Sequence, residues 1–309
     1  MGWLPVSTRS DGSRLGIPVT VIAGKKPGPT LLIESTCHGD ETEGSLAAVE
    51  TIREISPAEV RGTLVVVPVL NVRAYESGTR GNPDERYNYD MNRLFPGDAK
   101  GSVSQRFIHA YVEELLSRVD YAVSLHGGGK LFYLSNRLMV STDPGSIELA
   151  KAIGPEWPFL HESEHPGTLM TECANRDIPC VTAELGGSSN RMPDAIMKNV
   201  GAFKKAIRNV MKHLEMLDGE AQYAEEWGIL KGTNVRCTYG GLMIPTEKCR
   251  IKQEVKKGDH LVTIVDLFGE ELDRIRAPQD GMVLGVPVLP LAYPGNNILT
   301  IAKVTETIR

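Results

Sequence analysis

The sequence predicts an α/β fold with helices on both faces of a sheet, followed by a small all-β unit. Three observations carry that prediction. Short runs rich in Val, Ile and Leu alternate with longer segments of helical spacing from about residue 17 to about residue 217. Those runs are apolar almost throughout, as strands buried on both faces require. After about residue 221 the helical spacing stops, and short strands punctuated by Gly, Pro, Asn and Asp take over. The expected division of the chain is therefore residues 1–222 and 223–309.

Taken in order, strands are expected at residues 18–24, 29–36, 62–70, 121–127 and 178–187, each bounded by Gly or Pro or leading into polar residues. Helices are expected between them at 42–56, 104–119, 146–153 and 192–216. In the second of these, Phe107, Tyr111, Glu114 and Leu115 recur every three to four residues behind Ser104 as N-cap. The tail echoes itself: GDHLVTI at 258–264 and GNNILTI at 295–301 lie 37 residues apart. Such a period fits a small unit used twice, here two halves of a compact β-sandwich. With VKKGD at 255–259 and RAPQDG at 276–281, the tail resembles the barrel-sandwich hybrid of biotinyl and lipoyl carrier domains. Residues 270–274 (EELDR) occupy the hairpin between the halves and include no Lys for attachment, so a structural appendage or substrate gate is expected.

Composition narrows the partners. The 309 residues carry 34 basic and 39 acidic side chains, a formal net charge of −5. Bulk charge therefore does not hold nucleic acid or anionic lipid. No stretch approaches the ~18 consecutive apolar residues of a membrane-spanning helix, and the N-terminus, MGWLPVSTRSDGSR, has polar residues where a secretion signal would place its apolar stretch. Five cysteines with no CxxC pair read as free thiols in a reducing compartment. A cytoplasmic protein is expected, with neither nucleic acid nor membrane as partner and a homo-oligomer left open.

The first chemical signal is Cys37-His38-Gly39-Asp40-Glu41 at a strand end. His38 and Glu41 are spaced so that an imidazole nitrogen and a carboxylate oxygen reach one cation. His126, in Ser124-Leu-His-Gly-Gly-Gly129, ends another strand and is the third candidate. Two His, one carboxylate and an open position form the ligand set of catalytic zinc hydrolases rather than of structural zinc. Ligands gather at the ends of neighbouring strands in α/β sheets. For His109, His161, His165, His213 and His260 an ordinary hydrogen-bonded or surface histidine is expected. Glu184, in Val181-Thr-Ala-Glu-Leu-Gly-Gly187, places a carboxylate where a buried run emerges and is the candidate general base. Capping of the next turn is its alternative reading. Arg80, Asn92 and Arg93 form a basic cluster in loops; an Arg fork can hold a carboxylate, and a second Arg can stabilise an oxyanion.

HGDE at 38–41, NVRA at 71–74, SGTR ending at Arg80, DMNRLFPG at 90–97, SLHGG at 124–128 and TAELGG at 182–187 occur in this order. Together they resemble the succinylglutamate desuccinylase and aspartoacylase family, whose catalytic core is related to the zinc carboxypeptidases. The resemblance runs from about Leu15 into the β tail. It implies a zinc-carboxypeptidase-like three-layer mixed sheet and one Zn2+ per subunit held by His38, Glu41 and His126. Glu184 would then act as base and acid, Arg80 as stabiliser of the carbonyl and oxyanion, Asn92 with Arg93 as holders of a substrate carboxylate, and Asp90 as the group that orients His38.

The chain departs from the family in three places: Ser124 stands where many members have Asp, Val72 where Pro is common, and residues 81–88 form a longer insertion. The expected activity is hydrolysis of a small N-acyl amino acid or related amide. A metallocarboxypeptidase acting on peptides and a non-catalytic metal or small-molecule binder are the alternatives. Residues 81–88, 166–171 and 188–191 are expected to line the pocket.

Overall fold

In a computed structural model the described residues are 1–87, 89–163, 165–187 and 193–309, Pro193 without its side chain. The elements in order are β1 (Gly2–Thr8), β2 (Arg14–Ala23), β3 (Lys26–Ser35), α1 (Glu43–Glu54), β4 (Arg61–Val67), α2 (Val72–Ser77), α3 (Val103–Glu114), β5 (Tyr121–His126), β6 (Phe132–Val140), α4 (Pro144–Lys151), β7 (Phe159–Glu162), α5 (Leu169–Ala174), β8 (Cys180–Gly186) and α6 (Pro193–His213). The rest is all β: β9 (Trp227–Arg236), β10 (Gly241–Pro245), β11 (Glu254–Val255), β12 (His260–Val265), β13 (Glu271–Arg276), β14 (Gly281–Pro287), β15 (Leu291–Ala292) and β16 (Asn297–Ile308).

A mixed sheet in the order β1-β2-β4-β3-β5-β8-β6-β7-β9-β16-β14-β11 organises the molecule. Its centre, β4-β3-β5-β8, is parallel. Alternate residues of each central strand enter different apolar clusters, as the two-residue repeat of a strand dictates. Leu31, Ile33, Leu64 and Val66 join Ala47 and Ala48 of α1 and Val200, Phe203 and Ile207 of α6. Leu32, Val65 and Val67 join Phe107, Ile108 and Tyr111 of α3 and Leu169, Met170 and Cys173 of α5. None of the described helices is long and apolar enough to cross a membrane.

Two expected boundaries move for local reasons. Ser104 is not the N-cap of α3: Ser102 is, in a reciprocal capping box with Gln105, while the Ser104 N–H and hydroxyl both donate to Glu85, each at 2.6 Å. The helix also stops at Glu114 and gives way to a 3-10 turn over Leu116–Arg118.

The tail joins the main sheet directly. β9 pairs in parallel with β7, and β14 pairs antiparallel with β6. A second sheet, β13-β12-β10-β15, faces it across a separate apolar cluster. The internal echo lands in that cluster: Leu261 and Ile264 of β12 meet Ile298 and Ile301 of β16, one copy in each sheet.

Candidate active site

Each candidate side chain is carried by the end of an element. After β3, Thr36 adopts a left-handed backbone (φ 53°) that is costly for a β-branched residue. The surroundings hold it there. Its hydroxyl bonds with that of Ser45 and donates to the Glu41 carbonyl at 2.9 Å, and the Asn71 N–H donates to the Thr36 carbonyl at 3.0 Å. The chain therefore reverses within a few residues and presents His38 and Glu41 together. Gly39 is obligatory in this turn, because a Cβ there would lie 1.9 Å from the Ala74 carbonyl carbon.

His126 closes β5, and Glu184 is its register partner on β8. The glycines that follow each of them press together. Gly128 donates to the Gly186 carbonyl at 3.1 Å, and Gly187 (φ +106°) would set a Cβ 2.6 Å from the Gly128 Cα.

Arg80 emerges just beyond α2, whose N-cap Asn71 accepts the Ala74 N–H at 3.2 Å. Residues 91–93, read as loop from sequence, form a 3-10 turn capped by Asp90, whose Oδ1 accepts the Asn92 N–H at 2.9 Å. The Asn92 Oδ1 accepts the Leu169 N–H at 3.0 Å, which ties the turn to α5.

The electrostatics centre on Glu41. Its Oε1 lies 2.9 Å from His38 Nδ1 and its Oε2 lies 2.9 Å from His126 Nδ1. Oε2 also accepts the Gly127 N–H at 3.0 Å. His38 and Glu41 are 3% and 4% exposed. On the other side of His38, Nε2 meets Asp90 Oδ1 at 2.9 Å; donation of that N–H selects the tautomer whose Nδ1 lone pair faces Glu41. Nδ1 itself is buried without a hydrogen-bond partner of good geometry.

Burial opposes the charged imidazole of His38, yet Glu41 and Asp90 more than offset it and raise its pKa to about 9. Burial pushes the His126 imidazole down, as does the neighbouring His38, but Glu41 and Glu184 together more than offset them and raise its pKa. Burial raises the Glu41 carboxyl, but the two imidazoles hold it well below the usual carboxylate range. The cluster thus stabilises positive charge between one carboxylate and two imidazoles.

That charge pattern suits a divalent cation. The candidate ligand atoms of His38, Glu41 and His126 lie within 4.8 Å of one another, and no other such trio occurs among the described residues. The unpartnered Nδ1 and the two-His, one-carboxylate donor set fit zinc. Arg80, 52% exposed, leans over the cluster, donating to Asp90 Oδ2 at 2.9 Å from Nη2 and to Glu41 Oε1 at 3.3 Å from Nη1.

His38, Glu41, Arg80, Asn92, Arg93, His126 and Glu184 line one cavity of about 560 Å³. His161 and His165, expected to be ordinary surface or hydrogen-bonded histidines, line it too. Thr168 and Met170 of the 166–171 segment also contribute. The 81–88 insertion contributes no described residue, because Arg73 binds Asp84 and the N-terminus of α3 binds Glu85, which draws it aside. Asn88 and residues 188–191, also expected at the pocket, lie outside the described residues.

Sequence reading missed five residues in or beside the site. Glu34, 2% exposed on β3, accepts the hydroxyl of its register partner Ser124 and lies 4.0 Å from His126 Nε2. Arg137 of β6 lines the cavity beside Glu184. Asn234 of β9, with Asn297 and Thr300 of β16, forms another part of the wall. The one available signal was an acid or Arg inside an otherwise apolar strand.

Comparison with known proteins shows what the chain as a whole is similar to. A family model described as the succinylglutamate desuccinylase/aspartoacylase catalytic domain matches residues 27–214. The chain is 26% identical to the N-alpha-acetyl-L-2,4-diaminobutyric acid deacetylase of Halomonas elongata over 99% of its length and 92% of that protein. It is 30% identical to murein peptide amidase A of Vibrio campbellii over 56% of its length and 75% of that protein. Among solved structures, the product-bound ectoine utilization protein EutE of Ruegeria pomeroyi superposes with a TM-score of 0.87 at 28% identity, covering 98% of this chain and 94% of that one.

Proposed function

The chain belongs to the succinylglutamate desuccinylase/aspartoacylase family, and from that premise we propose that it is a zinc-dependent deacylase that hydrolyses the amide bond of a small N-acyl amino acid. The observation that carries the reading is the cavity itself, where a two-His, one-carboxylate cluster, a carboxylate outside that cluster and three cationic or amide donors share one space.

His38, Glu41 and His126 would hold the ion. Zinc bound there would supply Lewis acidity, lowering the pKa of a water and drawing charge from a carbonyl. Glu184 takes the water's proton and returns it to the departing nitrogen. Arg80 donates to the carbonyl oxygen as negative charge develops on it, and Asp90 and Glu41 hold that guanidinium in place. Asn92 and Arg93 hold the substrate carboxylate. Asp90 keeps His38 in the tautomer that offers Nδ1.

Two finer assignments belong to the same reading. A three-layer catalytic unit at residues 1–222 and a barrel-sandwich-like unit at 223–309 are supported by the separate apolar cluster of the tail. A reducing compartment such as the cytoplasm is supported by five free cysteines.

Similarity to murein peptide amidase A favours a second reading, a metallopeptidase. The wall built by Asn234, Asn297 and Thr300 weighs against it, since it borders the space an extended peptide would need. Glu184→Gln tests the main reading. The variant should keep stoichiometric zinc by elemental analysis while turnover of N-acyl amino acids falls by about 10²- to 10⁴-fold. Unchanged turnover removes Glu184 from its role, and turnover of peptides alone favours the metallopeptidase.

A further inference from the structure

We propose that the hairpin tip Leu267-Phe268 of one molecule docks into an open cavity in the tail of a second copy, so that the chain associates head to tail. That cavity shares no lining residue with the candidate active site, and the contact does not depend on the deacylase reading.

Leu267 and Phe268 lie between β12 and β13 and are 82% and 94% exposed. Apart from Met1 at the chain start, no other large apolar side chain among the described residues exceeds 67%. The turn is pinned by its own hydrogen bonds. Asp266 Oδ1 accepts the Phe268 N–H at 2.8 Å and the Glu270 N–H at 2.9 Å, and the Asp266 N–H donates to the Glu270 carbonyl at 2.9 Å. Gly269 (φ +91°) takes the left-handed step. Single exposed apolar residues are ordinary. Two adjacent ones on a pinned turn form an anchor whose ordering on binding costs little.

The receiving cavity has a volume of about 810 Å³ and is lined by Phe159, Leu230, Met282 and Val304 of β7, β9, β14 and β16. That lies within the ~300–1,000 Å³ of ordinary binding pockets and leaves room for two apolar side chains. Charge agrees in sign. Lys248, Lys256 and Lys303 stand at the cavity against Glu254 and Asp259, whereas Asp266 and Glu270 flank the tip with no base between them. Among the described residues neither Lys303 nor Glu270 has an ion pair. Lys303 is, moreover, the register partner of Lys231, a like-charge pair that an incoming carboxylate relieves.

Tip and cavity sit at opposite ends of β12. Asp259 of the cavity precedes the strand and Leu267 follows it, so roughly 20 Å of extended chain separate them. The tip therefore does not reach its own cavity. It meets that of another copy, a heterologous contact that repeats along an open chain or closes into a ring. The acidic flank disfavours the other surface that an exposed Leu-Phe pair suits, an anionic bilayer.

A hairpin tip buries less than the ~1,200 Å² of a stable interface, so a Kd on the order of 10 μM is expected. Sedimentation velocity of the full chain from about 1 to about 200 μM should show mass growing with concentration. Growth is read against the same protein at its lowest concentration, so an oligomer built on another surface does not enter. Phe268→Ser at the tip and Val304→Glu in the cavity should each weaken association at least about thirtyfold, the scale of an aromatic anchor. Mixing the two variants decides the geometry. Phe268→Ser keeps its cavity and Val304→Glu keeps its tip, so the mixture should form one-to-one pairs that grow no further.

Both variants should melt within about 2 °C of wild type, as surface substitutions do. Should Val304→Glu melt lower, Phe268→Ser, exposed on its turn, carries the test alone. A wild type whose mass does not grow overturns the proposal, as does growth that survives Phe268→Ser, or a mixture of folded variants that stays unpaired. Co-sedimentation with phosphatidylcholine vesicles adds the last arm: Phe268-dependent vesicle binding by a chain that does not self-associate assigns the tip to a lipid surface and overturns it too.

Discussion

The two sides of the cavity are built from different chemistry. On one side, the turn after β3, the end of β5 and the 80–93 segment contribute ionisable groups that pair with each other: His38 with Asp90, Glu41 with both imidazoles, Arg80 with both carboxylates. On the other, β9 and β16 contribute neutral amides and a hydroxyl, with Asn297 Nδ2 donating to Asn234 Oδ1 at 3.3 Å and the Thr300 hydroxyl donating to the same oxygen at 3.2 Å. Paired buried charges resist rearrangement, because breaking one pair exposes an uncompensated ion. Neutral hydrogen bonds exchange with those of a ligand at little cost. On the reading proposed above, the charged side would hold the reacting atoms and the neutral side would shape what fits.

The comparison breaks most visibly at its centre. His38→Ala should abolish stoichiometric zinc and reduce hydrolysis to background, both read on the purified variant by elemental analysis and product assay; retained zinc would show that the charged side is not the ion's seat. A smaller change sharpens the same point. Asp90→Asn leaves the ligands in place but removes the carboxylate that sets the His38 tautomer, and should weaken zinc by about 10- to 100-fold in chelator competition. Because Asp90 also holds Arg80, kcat should fall even at saturating zinc. On the neutral side, Asn234→Ala should raise KM by less than about tenfold and leave kcat and zinc content unchanged, as expected for loss of a neutral hydrogen bond. A large kcat effect there would erase the distinction between the two sides.

Legibility in the sequence follows the same physical line. The central strands were readable because a strand buried on both faces is apolar at every position, as in Leu31-Leu-Ile33 and Leu64-Val-Val-Val67. β6 was not, because Ser135, Asn136 and Arg137 interrupt its apolar text where one face opens onto the cavity. β1 and β7 are an edge strand and a four-residue strand, too short or too exposed to print a period. His38, Glu41, His126 and Glu184 stood out because each ends an apolar run or the turn after it. Glu34 and Arg137 sit inside strands, where a single charge does not say whether it faces core, solvent or cavity. The insertion at 81–88 misled for a related reason: length suggested a pocket wall, whereas Asp84 and Glu85 tether it to Arg73 and α3.

By itself the sequence determined which side chains are capable of the chemistry and which strand ends present them, because local chain direction and buried apolar runs are short-range properties written residue by residue. Only the tertiary structure decided that Glu41 sits between two imidazoles, one three and the other 85 residues away in the chain, that the tail joins the sheet through β7 and β6, and that the buried Nε and Nη1 of Arg137 meet no hydrogen-bond partner among the described residues. Pairing and its absence depend on distances between segments remote in the chain. Those distances are set by packing the whole sheet, which no local pattern encodes.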